Sequence, residues 1–268
     1  MAARTDRVFD TDWASAWSHM VRRRARQIRG RPADFWDRRS RAYAFATADE
    51  VDPLLLAVEP FLAAHKTLID VGAGTGRLAA ALSGRLEWLT LVEPSWGMRE
   101  RIPDRGNLTL LACTWEEAEV VPADLVTCSH VLYMVEDAVG FVRKLEQSAT
   151  ERVFLALRDD QLRHPAELLW ESLSGARRAR QPQFWDAYNL LRSMGIHPQV
   201  EVSTTQSNHR YADMEEAVED CRIRIGARWD QAVGRAWLAR HLLVHPQGGL
   251  VLPGAPIHIG VAHWRPRA

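Results

Sequence analysis

The chain has 268 residues, 47% of them hydrophobic and 25% charged, and its formal net charge is zero. A chain of this length and composition buries a large core without disulfide staples, so we expect one domain with elaborations. The balanced charge excludes a general attraction of the whole molecule to polyanions.

The sequence also carries signals about location. The first residues lack the apolar core of a signal peptide, and no run of about 18 apolar residues is present to span a bilayer. The three cysteines are odd in number and lack metal-binding spacing, which favours free thiols in a reducing compartment. We therefore expect a cytoplasmic protein without membrane contact.

The N-terminal part of the chain is predicted to be helical. Over residues 11–64, apolar side chains such as Trp13 and Trp17 recur at helical spacing. We divide the chain into a helical extension or lid, residues 1–64, and one globular unit, residues 65–268, with insertions.

From residue 66, short apolar segments alternate with helical ones. The predicted strands of this stretch are 66–71, 86–93, 107–113, 123–129 and 152–158. The predicted helices between them are 75–84, 95–102 and 136–148. Most of these strands lack polar alternation, as strands buried on both faces do. The alternation indicates an α/β fold, with right-handed crossovers and a parallel sheet covered by helices.

The pattern changes after the fifth strand. Helical insertions are expected at about 159–194 and 206–244, with a strand at 196–205 between them. The C-terminal strands are predicted to form a hairpin that turns at Pro253-Gly254. An α/β core followed by late antiparallel strands is thus expected.

A glycine-rich loop follows the first strand, in the segment LIDVGAGTGRLAAAL (68–82). Gly72, Gly74 and Gly76 permit positive φ angles and close approach of a ligand, and such a loop aims backbone N–H groups at that ligand. A triphosphate loop would need a Lys after the last glycine, and a dinucleotide fingerprint would have its third glycine one residue later. The spacing therefore favours a different nucleotide-like ligand.

The D-x-G-x-G-x-G pattern that starts at Asp70 resembles the first motif of class I S-adenosylmethionine (SAM)-dependent methyltransferases. LVEPSWGM (91–98) is similar to the second motif of that family, and ADLVTCSHVLYMVED (123–137) to the fourth. The resemblance covers roughly 66–157. It implies a Rossmann-like, seven-stranded mixed sheet in the order 3-2-1-4-5-7-6, with SAM over the carboxyl ends of strands one and two.

The resemblance also implies donor contacts. Glu93 is expected to accept hydrogen bonds from two ribose hydroxyls, and Asp70 to order the loop and attract the cationic amine. Met98 is expected on the adenine face, although a core position is the alternative. The full predicted donor set is Asp70, Gly72, Ala73, Gly74, Gly76, Glu93, Pro94, Met98, Thr114, Trp115 and Ser129.

Two predicted positions leave alternatives open. Where the family often has a small residue and an acid after strand three, this chain has Thr114, Trp115 and Glu116, so Trp115 either stacks on adenine or closes the core. His130 follows strand four and is the candidate catalytic residue. Its reference pKa near 6.5 suits a general base, and the alternative is a histidine that hydrogen-bonds the donor carboxylate or the backbone.

The expected function is methyl transfer from SAM, with S-adenosylhomocysteine (SAH) as product, to a small-molecule acceptor by direct displacement. The arginine-rich segment 1–41 leaves an RNA- or ribosome-associated methyltransferase as an alternative, and a non-catalytic cofactor-binding module is another. Segment 36–45 resembles a lid, with Tyr43 as a candidate contact. No metal site is expected, because His241 and His245 lack the intervening Glu and a third ligand.

Overall fold

A computed structural model describes residues 11–27, 33–47, 52–159, 164–206 and 208–267. Within these ranges, no helix is both long and apolar enough to cross a membrane. The helices are α1 (Trp13–Gln27), α2 (Phe35–Thr47), α3 (Pro53–Val58), α4 (Arg77–Leu82), α5 (Trp96–Arg99), α6 (Ala138–Gln147), α7 (Pro165–Ser174), α8 (Phe184–Ser193), α9 (Met214–Ile225) and α10 (Gln231–His241). The strands are β1 (Thr67–Val71), β2 (Trp88–Val92), β3 (Leu108–Leu111), β4 (Ala123–Ser129), β5 (Ala149–Arg158), β6 (Gln199–Gln206), β7 (His209–Tyr211), β8 (Leu243–Val244), β9 (Leu250–Leu252) and β10 (Pro256–Trp264).

Side-chain caps begin several of these helices. Asp52 accepts the amide hydrogen of Leu54 at the start of α3, where Pro53 occupies the first turn. Asp137 accepts the amide hydrogen of Gly140 at the start of α6. Each cap satisfies a backbone donor that has no partner within the helix, which fixes where the helix begins.

Seven of the described strands form one sheet in the order β3-β2-β1-β4-β5-β10-β6, and the other three form a second sheet in the order β7-β9-β8. Strands β1 to β5 run parallel, and β10 lies antiparallel between β5 and β6. The predicted order 3-2-1-4-5-7-6 is confirmed, with β10 as the seventh strand. Val71 is level with both Val92 and Cys128, so β1, β2 and β4 end at one edge of the sheet.

The core has two apolar layers, one on each face of the sheet. On one face, Ile69 and Leu155 pack with Trp17 of α1 and with residues of α6 and α8. On the other face, Leu68 and Phe154 pack with residues of α3 and α4. Because strand residues alternate between faces, Asp70 shares the face of Leu68 at the carboxyl edge.

The predicted C-terminal hairpin is wrong. The strands on either side of Pro253-Gly254 belong to different sheets: β9 pairs with β7 and β8, whereas β10 pairs with β5 and β6. A local turn signal does not specify partner strands, and here the better partners lie elsewhere in the chain.

The second helical insertion is also interrupted. Helix α9 ends at Gly226, which has a positive φ of 72°, and α10 ends at His241. His241 and His245 therefore do not share a helix. Helix α9 packs against α2, α7, α10 and β7, so the insertions meet the N-terminal segment in space.

Candidate active site

The glycine loop curves over the carboxyl end of β1. Gly72, Gly74 and Gly76 have φ angles of 73°, 57° and 75°. The amide of Gly72 donates to the carbonyl of Val92 over 2.8 Å, which ties the loop to β2. A Cβ atom on Gly72 would lie 2.2 Å from the Cγ2 atom of Val131, so the side-chain-free backbone is required here.

Glu93 joins this loop to the residues after β2. It is only 7% exposed, and its two carboxylate oxygens each accept a backbone N–H at 2.8 Å, one from Gly74 and one from Ser95. Burial raises the pKa of Glu93, and these two hydrogen bonds oppose that rise. A carboxylate has about four lone-pair positions, so about two remain for further donors.

Asp70 is a second buried acid below the loop. The hydroxyl of Thr127 donates to it over 2.9 Å. Burial is the main cause that raises the pKa of Asp70 to about 7. The hydrogen bond from Thr127 and the charge of Arg77 oppose this rise, and Arg77 itself pairs with Asp52 over 2.8 Å. A cation placed beside Asp70 would favour its ionised form.

Helix α2 lies against this region. One carboxylate oxygen of Asp37 accepts the hydroxyl of Ser95 at 2.6 Å and the amide of Gly97 at 2.9 Å. A Cβ atom on Gly97 would lie 2.7 Å from the Cα atom of Asp37, so glycine permits this approach. Further along α2, an atom of the Tyr43 ring would lie 3.8 Å from a Cβ on Gly74. The helix thus covers one side of the loop.

A chain of hydrogen bonds occupies the end of β4. His130, with a positive φ of 59°, donates its amide hydrogen to Ala156 at 2.9 Å. Its Nδ1 atom lies 3.1 Å from the hydroxyl oxygen of Tyr133, which accepts the amide hydrogen of Arg158. Burial, then the charges of Arg158 and Arg77, holds the pKa of His130 well below 6.5.

The tautomer of His130 sets the direction of its hydrogen bond with Tyr133. Burial raises the pKa of Tyr133 to about 12, so its hydroxyl keeps its hydrogen at neutral pH. Which atom donates across the 3.1 Å contact between the Tyr133 oxygen and Nδ1 of His130 depends on the imidazole tautomer. When the Tyr133 hydroxyl donates to Nδ1, the imidazole proton is on Nε2, which is then a hydrogen-bond donor.

The other predicted donor residues lie around the same edge. The amide of Ala73 donates to Val92 over 3.2 Å, and Met98 is buried in α5. Ser129 is half-buried at the end of β4. Pro94 and Thr114 are exposed in the loops after β2 and β3.

Trp115 differs from its prediction as an adenine contact. Its side chain is 3% exposed within the apolar layer beside α1 and α6, where it packs on Phe141 with centroids 6.4 Å apart. The ammonium of Lys144 lies 4.9 Å from the ring centroid. Core closure, the alternative reading of this residue, accounts for these contacts.

Several residues of the site were not found from the sequence. Asp37, Thr127 and Arg158 contact partners that lie at least 25 residues away in the chain. No local spacing marks such pairs. The sequence held only weak signals for two of them. Asp37 is an acidic residue within the lid-like segment, and Arg158 stands at the end of a predicted strand.

A family model of the methyltransferase domain matches residues 35–195. The chain belongs to this family. The match covers more than half of the chain and includes α2, the glycine loop, Glu93 and Arg158. The protein is therefore a class I SAM-dependent methyltransferase, as its motifs imply.

Solved structures resemble this methyltransferase in fold. A proposed methyltransferase of Bacillus halodurans aligns with a TM-score of 0.50 at 11% identity, over 78% of this chain and 97% of that one. YcgJ of Bacillus subtilis aligns at 0.49 and 15% identity, over 78% and 97% of the two chains. The magnesium protoporphyrin IX methyltransferase of Synechocystis, solved with bound SAH, aligns at 0.45 and 17% identity, over 74% and 93%. No curated protein matches the sequence of this methyltransferase.

Proposed function

We propose that the methyltransferase holds SAM against the glycine loop and Glu93 and transfers its methyl group to a small-molecule acceptor by direct displacement. The observation that carries the proposal is the position of the Glu93 carboxylate. It is buried, it is fixed by Gly74 and Ser95, and its remaining lone pairs suit two adjacent ribose hydroxyls.

The other loop residues fit the same group. Gly72, Gly74 and Gly76 leave a curve of bare backbone, and Asp70 supplies a carboxyl group whose ionised form the cationic amine would favour. When bound, SAM supplies a methyl carbon that its sulfonium has already activated. The residues of the chain then have to align the acceptor with that carbon and exclude water, which the cover formed by α2 supports.

His130 in this proposal donates a hydrogen bond through Nε2. Its depressed pKa keeps the imidazole neutral at physiological pH, and the Tyr133 hydroxyl occupies Nδ1. We therefore favour a positioning role, in which His130 orients an oxygen atom of the donor or acceptor, over general-base catalysis. A base is needed only for an acceptor that is protonated at the working pH.

A small molecule is the favoured acceptor because several of the described N-terminal arginines have acidic partners within the chain. Arg24 pairs with Glu167 over 2.6 Å, and Arg22 with Glu136 over 3.2 Å. These ion pairs join α1 to other parts of the fold, which accounts for these basic residues without RNA. An RNA-binding role would instead make RNA affinity fall steeply with salt and disappear on charge reversal of Arg22.

Calorimetric titration with SAH tests the proposal. Replacing Glu93 by Ala should weaken SAH binding by about 1–3 kcal/mol, because the ribose hydroxyls lose a charged partner. Asp230→Asn is the matched control, since Asp230 also accepts a backbone amide but caps α10. Unchanged SAH affinity in Glu93→Ala, or equal losses in both variants, would refute the assignment of Glu93.

A further inference from the structure

Three buried hydrogen-bonding atoms beyond the glycine loop lack a partner among the described residues. They are Nε of Arg158, Oγ of Ser203 and Nε2 of His209. A buried polar atom without a partner costs about 1–3 kcal/mol, and such atoms are uncommon in folded proteins. Atoms of this kind that lie on one part of the sheet suit a polar ligand.

The sheet register brings Arg158 and Ser203 together. Ile259 of β10 is level with Arg158 on one side and with Ser203 on the other. Residues that are level across neighbouring strands project from the same face, so both side chains lie on one face, two strands apart. Strand β6 ends at the same edge as β5, and His209 follows that end by three residues.

The charge of Arg158 acts on His209. Burial, then the neighbouring His164, lowers the pKa of His209 well below 6.5, and the charge of Arg158 adds to that lowering. His164 itself has hydrogen-bonding partners, with Nε2 3.3 Å from the hydroxyl oxygen of Tyr211 and Nδ1 accepting the amide of Ala166. The unpartnered Nε2 of His209 is thus the exception in an otherwise paired group.

The charge balance near these residues favours an anion. The carboxylate that acts on His209 is Asp220, and it is already paired with Arg39 at 2.5 Å and Arg224 at 2.7 Å. Arg158 lies on β5 two residues beyond Ala156, whose carbonyl accepts the amide hydrogen of His130, and its charge acts on both His130 and His209. Its backbone contacts Tyr133, the partner of His130. Arg158 therefore adjoins the residue that we place at the methyl-transfer centre, and Ser203 lies two strands from Arg158 on the same face.

We propose that Arg158, Ser203 and His209 form an acceptor subsite that binds an oxyanion group, a carboxylate or a phosphate, of the methyl acceptor. This inference rests on the proposed function. Arg158 supplies a guanidinium that matches the two oxygens of either group, and Ser203 and His209 each supply one neutral donor. The methyl acceptor is then an anionic small molecule. Its oxyanion group binds at the subsite, and the atom that receives the methyl group lies towards His130.

Ligand-binding experiments on the SAH-saturated full chain test this subsite. The probes are benzoate, followed by saturation-transfer NMR, and inorganic phosphate, followed by phosphorus NMR. We expect saturable binding of at least one probe, and Arg158→Gln should weaken it about tenfold or more, the effect of losing a charge-assisted pair. Benzoate binding alone would identify a carboxylate, and phosphate binding alone a phosphate.

Arg152→Gln is the matched control. Arg152 lies on β5 and on the same face, and its Nε is buried without a hydrogen-bond partner, but it is near the opposite end of the strand and contacts His263 and Phe61. It should change probe binding by less than about twofold. Absence of probe binding to the wild type, or an equal loss in both variants, would overturn the subsite.

Two further measurements separate the possible failures. SAH affinity of Arg158→Gln should stay within about twofold of wild type; a loss beyond about tenfold would mean that Arg158 holds the donor carboxylate, and would overturn the acceptor assignment. Failure of the wild type to bind SAH would instead refute the proposed function. If Arg158→Gln does not fold, His209→Gln provides the test, with an expected loss of about fivefold in probe binding.

Discussion

The carboxyl edge of the sheet has two halves with opposite chemistry. Over β1 and β2, the buried groups are the acids Asp70 and Glu93, and donors of the chain already bind both of them. Over β5 and β6, the half-buried residues Arg158, Ser203 and His209 each have a buried atom that lacks a hydrogen-bond partner within the described part of the chain. The first half suits a ligand rich in hydroxyl and ammonium donors, and the second suits a ligand with oxygen acceptors.

Burial opposes charge in both halves. It raises the pKa of Asp70 to about 7 and holds the pKa of His209 well below 6.5. Each shift disfavours the ionised form of its group. In the half over β1 and β2, which we call the donor half, hydrogen bonds hold the buried acids in place at a cost in stability. In the half over β5 and β6, which we call the acceptor half, the unpaired N–H and O–H groups are left for a ligand to bind.

The largest expected effect comes from Gly72→Ala in the donor half. The new methyl group would combine the strain of a positive φ with a clash against Val131, for a loss of about 2–4 kcal/mol in unfolding free energy and of SAH binding. Gly175→Ala is the control, because Gly175 has a φ of 67° but open space around its Cα. It should lose only about 1 kcal/mol. Urea denaturation measures the unfolding free energy of both variants. Equal losses would contradict the predicted clash between the new methyl group and Val131.

The next effect concerns the buried acid. Because the pKa of Asp70 is raised from 3.8 to about 7, folding loses stability as pH rises through this window. Asp70→Asn should therefore be more stable than wild type by roughly 2–4 kcal/mol at pH 8, and the difference should nearly vanish at about pH 4. Urea denaturation across this range measures it. A variant that is less stable than wild type at pH 8 would contradict the account of Asp70.

The smallest effect concerns the contact between α2 and the donor half. Asp37→Asn should cost about 1 kcal/mol, because the charge-assisted bonds from Ser95 and Gly97 become neutral. Hydrogen exchange of the α2 amides should accelerate, and SAH binding should weaken about threefold. Asp34→Asn, which alters an exposed pair with Arg38, is the control and should leave α2 exchange unchanged.

The pH dependence of this contact gives a further check. The hydrogen bond from Ser95, followed by that from Gly97, lowers the pKa of Asp37 below 3.8. The contribution of Asp37 is therefore complete above pH 3.8 and is lost only as pH falls through its lower folded pKa. The difference between Asp37→Asn and wild type should stay constant from about pH 5 to pH 8.

Features that depend on neighbouring residues could be predicted from the sequence, and features that depend on distant residues could not. The strand–glycine loop–helix unit at 66–84 depends on neighbouring residues, and apolar runs with glycine punctuation reveal it. The sheet order came from the resemblance to a family, because strand partners are not specified by local pattern. The same limit explains the error at Pro253-Gly254, where the turn was read as a hairpin although β9 and β10 enter different sheets.

The candidate site follows the same rule. Glu93 could be proposed from its place at a strand end and segment 36–45 from its resemblance to a lid, whereas the contact that holds this segment to the residues after β2 could not. The contact between Asp37 and Ser95 joins residues 58 positions apart, and only the folded chain brings them together. Trp115 illustrates a second limit, since an aromatic side chain serves equally well as a core residue or as a stacking surface.

A crystal structure of the SAH complex tests the central claim most directly. The account predicts that both ribose hydroxyl oxygens lie about 2.6–3.0 Å from the carboxylate oxygens of Glu93, with the glycine loop alongside. A complex in which the ribose lies elsewhere, with Glu93 bonded only to Gly74 and Ser95, would contradict it.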